Sequence, residues 1–141
     1  MDRKQFCRLI GVGAAATGHG EKLISAAGAL IAIAATMWLG YWMAGEIGAA
    51  MLVASMGAGA VLLFAVPHGP LSQPWPMLGG NCIAAVMGVS CAKLIPNLFI
   101  AAPLAVAMAI LLMHYLRCMN PPSGATALVA VVGGPAVHAL G

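Results

Sequence analysis

Between Leu23 and Gly141 the chain carries three charged side chains, Glu46, Lys93 and Arg117. A tract so long and so poor in charge is stable in a lipid bilayer and aggregates in water. Hydrophobic residues make up 62% of the sequence and charged residues 6%, where a soluble domain has roughly a quarter of its residues charged. The mean hydropathy of +1.01 says the same. A helix needs about 20 apolar residues to cross the hydrocarbon core, so about four or five passes fit. The expected fold is therefore all-α: a polytopic transmembrane helical bundle, with residues 1–22 as an N-terminal segment and 23–141 as the membrane domain.

The charges and prolines divide the tract. The first pass covers 23–44 and stops at Gly45-Glu46. The second, 47–66, follows so closely that the two must form a tight hairpin. Pro67-His68-Gly69-Pro70 and Gln73-Pro74-Trp75-Pro76 then mark a connector that cannot continue a helix. The third pass runs over 77–95, with Lys93 in its last turn, and Pro96-Asn97 turns the chain into the fourth, 98–116, which holds Pro103. A fifth, after Asn120-Pro121-Pro122-Ser123, covers 125–141 and is interrupted by Gly133-Gly134-Pro135. It is short, so it either re-enters the membrane or belongs to a chain cut short.

Arg3, Lys4, Arg8 and Lys22 precede the first pass, and the positive-inside rule places that end in the cytoplasm. Glu46 and Lys93 then fall outside and Arg117 inside, as in a multi-pass protein of the inner membrane. A cleaved signal peptide up to about Ala16 is the rival reading, weakened by Arg8 and several glycines in its apolar region.

Residues that carry chemistry are few. Cys7, Cys82, Cys91 and Cys118 form no CxxC pair, and Cys82 and Cys91, nine residues apart, point to opposite sides of one helix. They read as small apolar filler. His19, His68, His114 and His138 are scattered, and the ten methionines are spread along the chain with no cluster among them. No nucleophile elbow, phosphate loop or paired carboxylate is present, so no enzyme activity, cofactor, metal or nucleic acid is expected. The partners implied are the lipid bilayer and further copies of the chain, because short helices rich in Gly and Ala enclose little volume alone.

One pattern stands out. Ser55-Met56-Gly57-Ala58-Gly59-Ala60 and the aliphatic run after it resemble Ser123-Gly124-Ala125-Thr126-Ala127-Leu128 and its own aliphatic run. The copies lie in the second and fifth passes, so they run through the membrane in opposite directions. That is the mark of an inverted-topology repeat with half-helices, the architecture of many secondary transporters. A helix starting at Ser123 after two prolines would leave its first N–H groups unpaired, beside the Ser123 and Thr126 hydroxyls, and such a terminus suits a small anion. Close helix packing through Gly57, Gly59 and Gly124 is the alternative use of the same residues.

Asn120-Pro121-Pro122-Ser123-Gly124-Ala125-Thr126, together with Gly57-Ala58-x-Ala60-Val61-Leu62-Leu63-Phe64, Leu71-Ser72-Gln73-Pro74-Trp75 and Gly79-Gly80-Asn81, resembles the HPP family of integral membrane proteins. The family is named for His-Pro-Pro, and Asn120 stands at the first of those positions. Plastid and cyanobacterial relatives are described as nitrite carriers, so the resemblance implies a transporter or channel for a small anion, nitrite foremost. On that reading Ser123, Gly124, Ala125 and Thr126, with Gly57 and Ala58 from the inverted copy, line the anion path. Asn120 and Gln73 are polar gates, and Lys93 either attracts the anion from outside or snorkels to the interface. A non-transporting membrane subunit, packed against partner helices, is the second functional reading.

Overall fold

The computed structural model describes residues 18–134. The signal-peptide reading, Cys7, His138 and the stretch 135–141 of the fifth pass lie outside the described residues. Among the described residues the chain is helical throughout, with helices α1 (His19–Ala65), α2 (Pro74–Leu94), α3 (Leu98–Tyr115) and α4 (Ser123–Val132), and a single 3-10 turn at Pro70–Ser72.

Helix α1, 47 residues long, is two antiparallel arms joined at Gly45, whose φ of 70° and ψ of −172° break the helix between them. Glycine is the residue that adopts such a backbone without strain. The arms meet at small residues: a Cβ at Gly40 would lie 3.2 Å from the Ala49 Cα, and one at Gly28 would lie 2.7 Å from the Phe64 ring. This is the hairpin expected from Gly45-Glu46, although its first arm begins at His19, one turn before Leu23. Ser72 fastens the far end, its hydroxyl donating to Val66 O at 2.6 Å and Leu62 O at 3.0 Å, two carbonyls of the last turn.

Helix α2 starts at Pro74, not after Pro76 as the proline-rich connector led us to expect. The first turn of a helix has no acceptors for its own N–H groups, so prolines at 74 and 76 lose nothing there. Asn97 then caps α3, accepting from the Phe99 N–H at 3.0 Å. Pro103 sits inside α3, and the helix continues through it.

Helices α2, α3 and α4 pack through small side chains. On α3 the buried residues are Ala101, Ala105, Ala109 and Met113, one every four positions; on α2 Gly80, Ala84 and Gly88 repeat at the same interval. Such ridges let backbones approach closely in lipid, where the apolar effect gives helices no reason to associate. One cluster joins Ala84, Ala109, Met113, Cys118 and Ala127, and another joins Cys91, Ala101, Ala105 and Val131. Cys91 and Cys118 are thus core filler, while Cys82 is exposed. The clusters set α3 antiparallel and α4 parallel to α2. By length and composition α1, α2 and α3 can each cross a membrane, and the break at Gly45 divides α1 into two antiparallel arms. The chain is a multi-pass membrane protein.

The tightest contact predicts the most sensitive position. A Cβ at Gly88 would fall 2.6 Å from the Ala130 Cβ and 2.7 Å from the Ala127 carbonyl oxygen, whereas one at Gly57 meets nothing within 4 Å. Gly88→Ala is expected to lower stability in detergent by about 1–3 kcal/mol through overpacking. Gly57→Ala should leave it unchanged or raise it by up to about 1 kcal/mol. Thermal unfolding of the two variants side by side checks this.

Candidate functional site

Between α3 and α4 the chain does not stay at the bundle's end but turns back into it. The Trp75 indole N–H, in the first turn of α2, donates to Leu116 O at 3.1 Å, so the end of α3 lies level with the start of α2. Arg117 follows at φ 53° and reverses the direction. Cys118 then packs on Gly79, and Asn120 and Ser123 pack on Gly80. From Trp75 to Gly80 is about 7.5 Å along a helix, so α4 begins that far inside. It has ten residues, about 15 Å of rise, roughly half the hydrocarbon thickness. Non-helical backbone is tolerated at such depth where protein encloses it, as here.

Gly80 makes this burial feasible. A Cβ at that position would lie 2.7 Å from the Asn120 Cβ, 2.9 Å from the Ser123 Oγ and 3.0 Å from Cys118 O. Asn120 and Ser123 are completely buried, and the Asn120 amide donates to the Ser123 Oγ at 2.7 Å. The Asn120 Oδ1 is buried with no hydrogen-bond partner. A hydroxyl both donates and accepts, so the amide can turn over and still bond Ser123. In either orientation one end of this amide is unpartnered, and in the turned one that end is an N–H donor.

One residue further along α2, Asn81 makes a second polar pair. Its Nδ2 donates to Met77 O at 2.8 Å, and the Thr126 hydroxyl donates to its Oδ1 at 2.8 Å. Because a carbonyl only accepts, Met77 fixes the orientation of this amide. One Asn81 N–H remains over. Beside it, between the α1 hairpin and α2, lies a cavity of about 170 Å³ whose walls include Thr36, Ser55, Met56, Met77, Asn81 and Pro122.

The structure corrects two expectations about the anion path. The second arm of α1 is continuous through 55–60, so Gly57 and Ala58 are mid-helix and not at a half-helix start. Ala58 is exposed, and Gly57 lines a groove between the arms with Ala26 and Ala29. The first N–H groups of α4 are not unpaired either. Those of Ser123, Gly124 and Ala125 donate to the carbonyls of Asn120, Pro121 and Pro122 at 3.0–3.1 Å, because Pro121-Pro122 winds the entry as tight 3-10 turns. The two repeat copies do run in opposite directions, since α4 follows α2 and α2 follows the first arm of α1.

Of the remaining sequence candidates, Asn120, Ser123 and Thr126 come together on α2, with Gly124 and Ala125 half-buried on the same turn. Gln73 is exposed, and its amide donates to Gly69 O at 3.3 Å within the connector. Lys93 is exposed in the last turn of α2, at the opposite end from Asn120. Thr36, Ser55 and Asn81 were not among the sequence candidates, and all three line the cavity between the α1 hairpin and α2. A lone amide in a pass is costly in lipid and marks a partner or a path, which was the available signal for Asn81. Thr36 and Ser55 bond back to Ala32 O and Leu52 O of their own arms. Among the described residues no three His, Cys, Asp or Glu side chains are grouped as metal ligands.

A family model described as HPP, transmembrane region, matches residues 14–141. Two transmembrane proteins of Dictyostelium discoideum are similar to this chain. One is 39% identical over 87 residues, which is 59% of this chain and 30% of the relative; the other is 39% identical over 85 residues, 57% and 27%. The chain thus spans less than a third of the length of these relatives. No solved structure matches it.

The two polar pairs lead to a coupling prediction. Thr126→Val removes the donor to the Asn81 Oδ1 and is expected to cost about 1–3 kcal/mol. In the Thr126→Val, Asn81→Leu double variant the costs should fall short of additive. Unfolding in detergent measures both, and strict additivity would mean that the pair does not form.

Proposed function

Because the chain belongs to the HPP family of integral membrane proteins, we propose that it carries a small inorganic anion, nitrite foremost, across the bilayer, as a transporter or channel and not as an enzyme. The observation that supports this most is the buried, unpartnered amide end of Asn120, held where α4 begins inside the bundle. An orphan polar group in an apolar interior costs about 1–3 kcal/mol, and a passing ligand that bonds it recovers that cost. Turned with its N–H outward, the amide offers an anion a donor without a fixed positive charge that would hold the ion permanently. Beside Asn120, Ser123 fixes the amide's position and Thr126 fixes Asn81.

The proposal sets the N-terminus in the cytoplasm of a bacterial-type inner membrane, with Glu46 and Lys93 outside. The re-entrant segment then opens from the cytoplasmic end, where Gln73 stands in the connector. Copies of the chain associate through their exposed helix faces. The anion path of this reading runs along Ser123, Gly124, Ala125 and Thr126, while Gly57 and Ala58 belong to the outer hairpin.

Proteoliposomes holding the full chain are expected to take up nitrite, and Asn120→Ala to slow uptake by at least about tenfold, the weight of one charge-assisted hydrogen bond. Alanine at that position removes the orphan oxygen but also takes the amide partner from the buried Ser123 hydroxyl, so uptake is compared between folded, monodisperse preparations, with Asn120→Asp, which keeps the size, as a second variant. No uptake by a folded parent protein would support the membrane-subunit reading instead. For topology, Glu46→Cys should react with an impermeant thiol reagent on intact cells, and Gln73→Cys only after permeabilisation. The reverse pattern would invert the orientation.

A further inference from the structure

The cavity between the α1 hairpin and α2 is separate from the buried Asn120–Ser123 pair but touches the re-entrant segment through Pro122. We infer that this cavity is the solute-binding chamber, and that Thr36, Ser55 and the free N–H of Asn81 hold a small, weakly hydrated monoanion there. The inference rests on the transport reading and adds to it the place of binding and the class of anion.

Three observations lead to it. First, the chamber has donors. The Asn81 amide is locked by Met77 O and Thr126, so its remaining N–H is not consumed by the fold. The Thr36 and Ser55 hydroxyls now donate to carbonyls one turn back, at 2.7 and 2.8 Å. Rotation about one bond turns either toward a ligand, and the carbonyls keep their helical partners. Ser55 is also almost fully buried and lines the cavity, so its hydroxyl is shielded from the lipid.

Second, no charged side chain stands among the cavity's walls, and apart from Thr36, Ser55 and Asn81 the lining is apolar, Met56, Phe64 and Met77 being its largest side chains. Neutral donors in an apolar, methionine-lined space do not repay the dehydration of a divalent or strongly hydrated ion such as sulfate or phosphate. They do suit a polarisable monoanion that gives up its water easily. Third, the size fits. A cavity of about 170 Å³ corresponds to about five or six waters at their liquid volume, enough for a three- or four-atom anion and a remnant of its hydration.

The chamber also has a soft wall. A Cβ added at Gly59 would lie 3.6 Å from the Met77 Cε, an ordinary contact, so the hairpin and α2 touch here through a flexible thioether. A larger side chain at 59 fills the space without striking backbone.

The test reads binding apart from transport. In the full chain with Cys7→Ala and Cys82→Ala, which leaves only the buried Cys91 and Cys118, Met77→Cys places a reporter thiol in the chamber wall, and its rate of modification by a small water-soluble thiosulfonate is followed in proteoliposomes, with the Met77 parent as the blank. Nitrite should slow the modification at least threefold and sulfate should not. Thr36→Val and Ser55→Ala should each raise the half-protecting nitrite concentration about tenfold. Gly59→Leu should abolish protection. If the parent takes up nitrite while the reporter is unprotected and these variants keep normal flux, the chamber is not the site and the transport reading survives. Protection without uptake sinks the transport reading and leaves the binding site. A thiol the reagent never reaches, or equal protection by sulfate, overturns the inference.

Discussion

The close approach of α4 to α2 at Gly80 and Gly88 is the contact on which the rest of the membrane domain depends. In lipid the helices gain nothing by hiding apolar surface, so their association rests on packing and on hydrogen bonds between them. Both requirements meet along this seam. Without a side chain at Gly80, Asn120 and Ser123 reach the backbone of α2; without one at Gly88, Ala127 and Ala130 do the same two turns later. Thr126 spans the gap to Asn81 between those points. The alanine ridge of α3 closes the third side.

The hairpin of α1 is joined to this three-helix unit differently. Ser72 secures its far end, and small residues hold its two arms together, but toward α2 it offers a cavity in place of a close-packed ridge. A fold with one tightly packed unit and one hairpin leaves between them a largely apolar cavity into which Thr36, Ser55 and Asn81 bring the polar groups. That is how the two parts of the structure bear on one another: the seam fixes Asn81, and the hairpin forms the opposite wall of the cavity that Asn81 lines.

Much of this was legible in the sequence, for reasons that can be named. Scarcity of charge gave the bilayer, Gly45-Glu46 the hairpin, and Pro96-Asn97 the turn into α3, because each depends on composition or on a few neighbouring residues. The grouping of Asn120, Ser123 and Thr126 also followed from one short motif. The half-helix at Gly57 and Ala58 did not survive, since nothing in an alanine-rich window says whether a helix starts or continues there. The free N–H groups at Ser123 to Ala125 failed for a different reason: the prolines before them remove donors yet supply carbonyls, and those carbonyls accept the bonds. Asn81 finds its partner 45 residues away, and Thr36 and Ser55 share a cavity only because the arms fold back. Distance of that kind is not written in local spacing.

The central claim is that the chain after α3 turns back along α2, carrying Asn120 and Ser123 into the bundle. Disulfide formation tests it directly. A Cβ at Gly79 would stand 3.2 Å from the Cys118 Cβ and 3.5 Å from its Sγ, close to the separation of about 3.8 Å in a disulfide. With Cys7, Cys82 and Cys91 replaced by alanine, Gly79→Cys should cross-link to Cys118 in native membranes under mild oxidation, as peptide mapping would show. Two free thiols in a folded protein, both open to alkylation and never joined, would contradict the account.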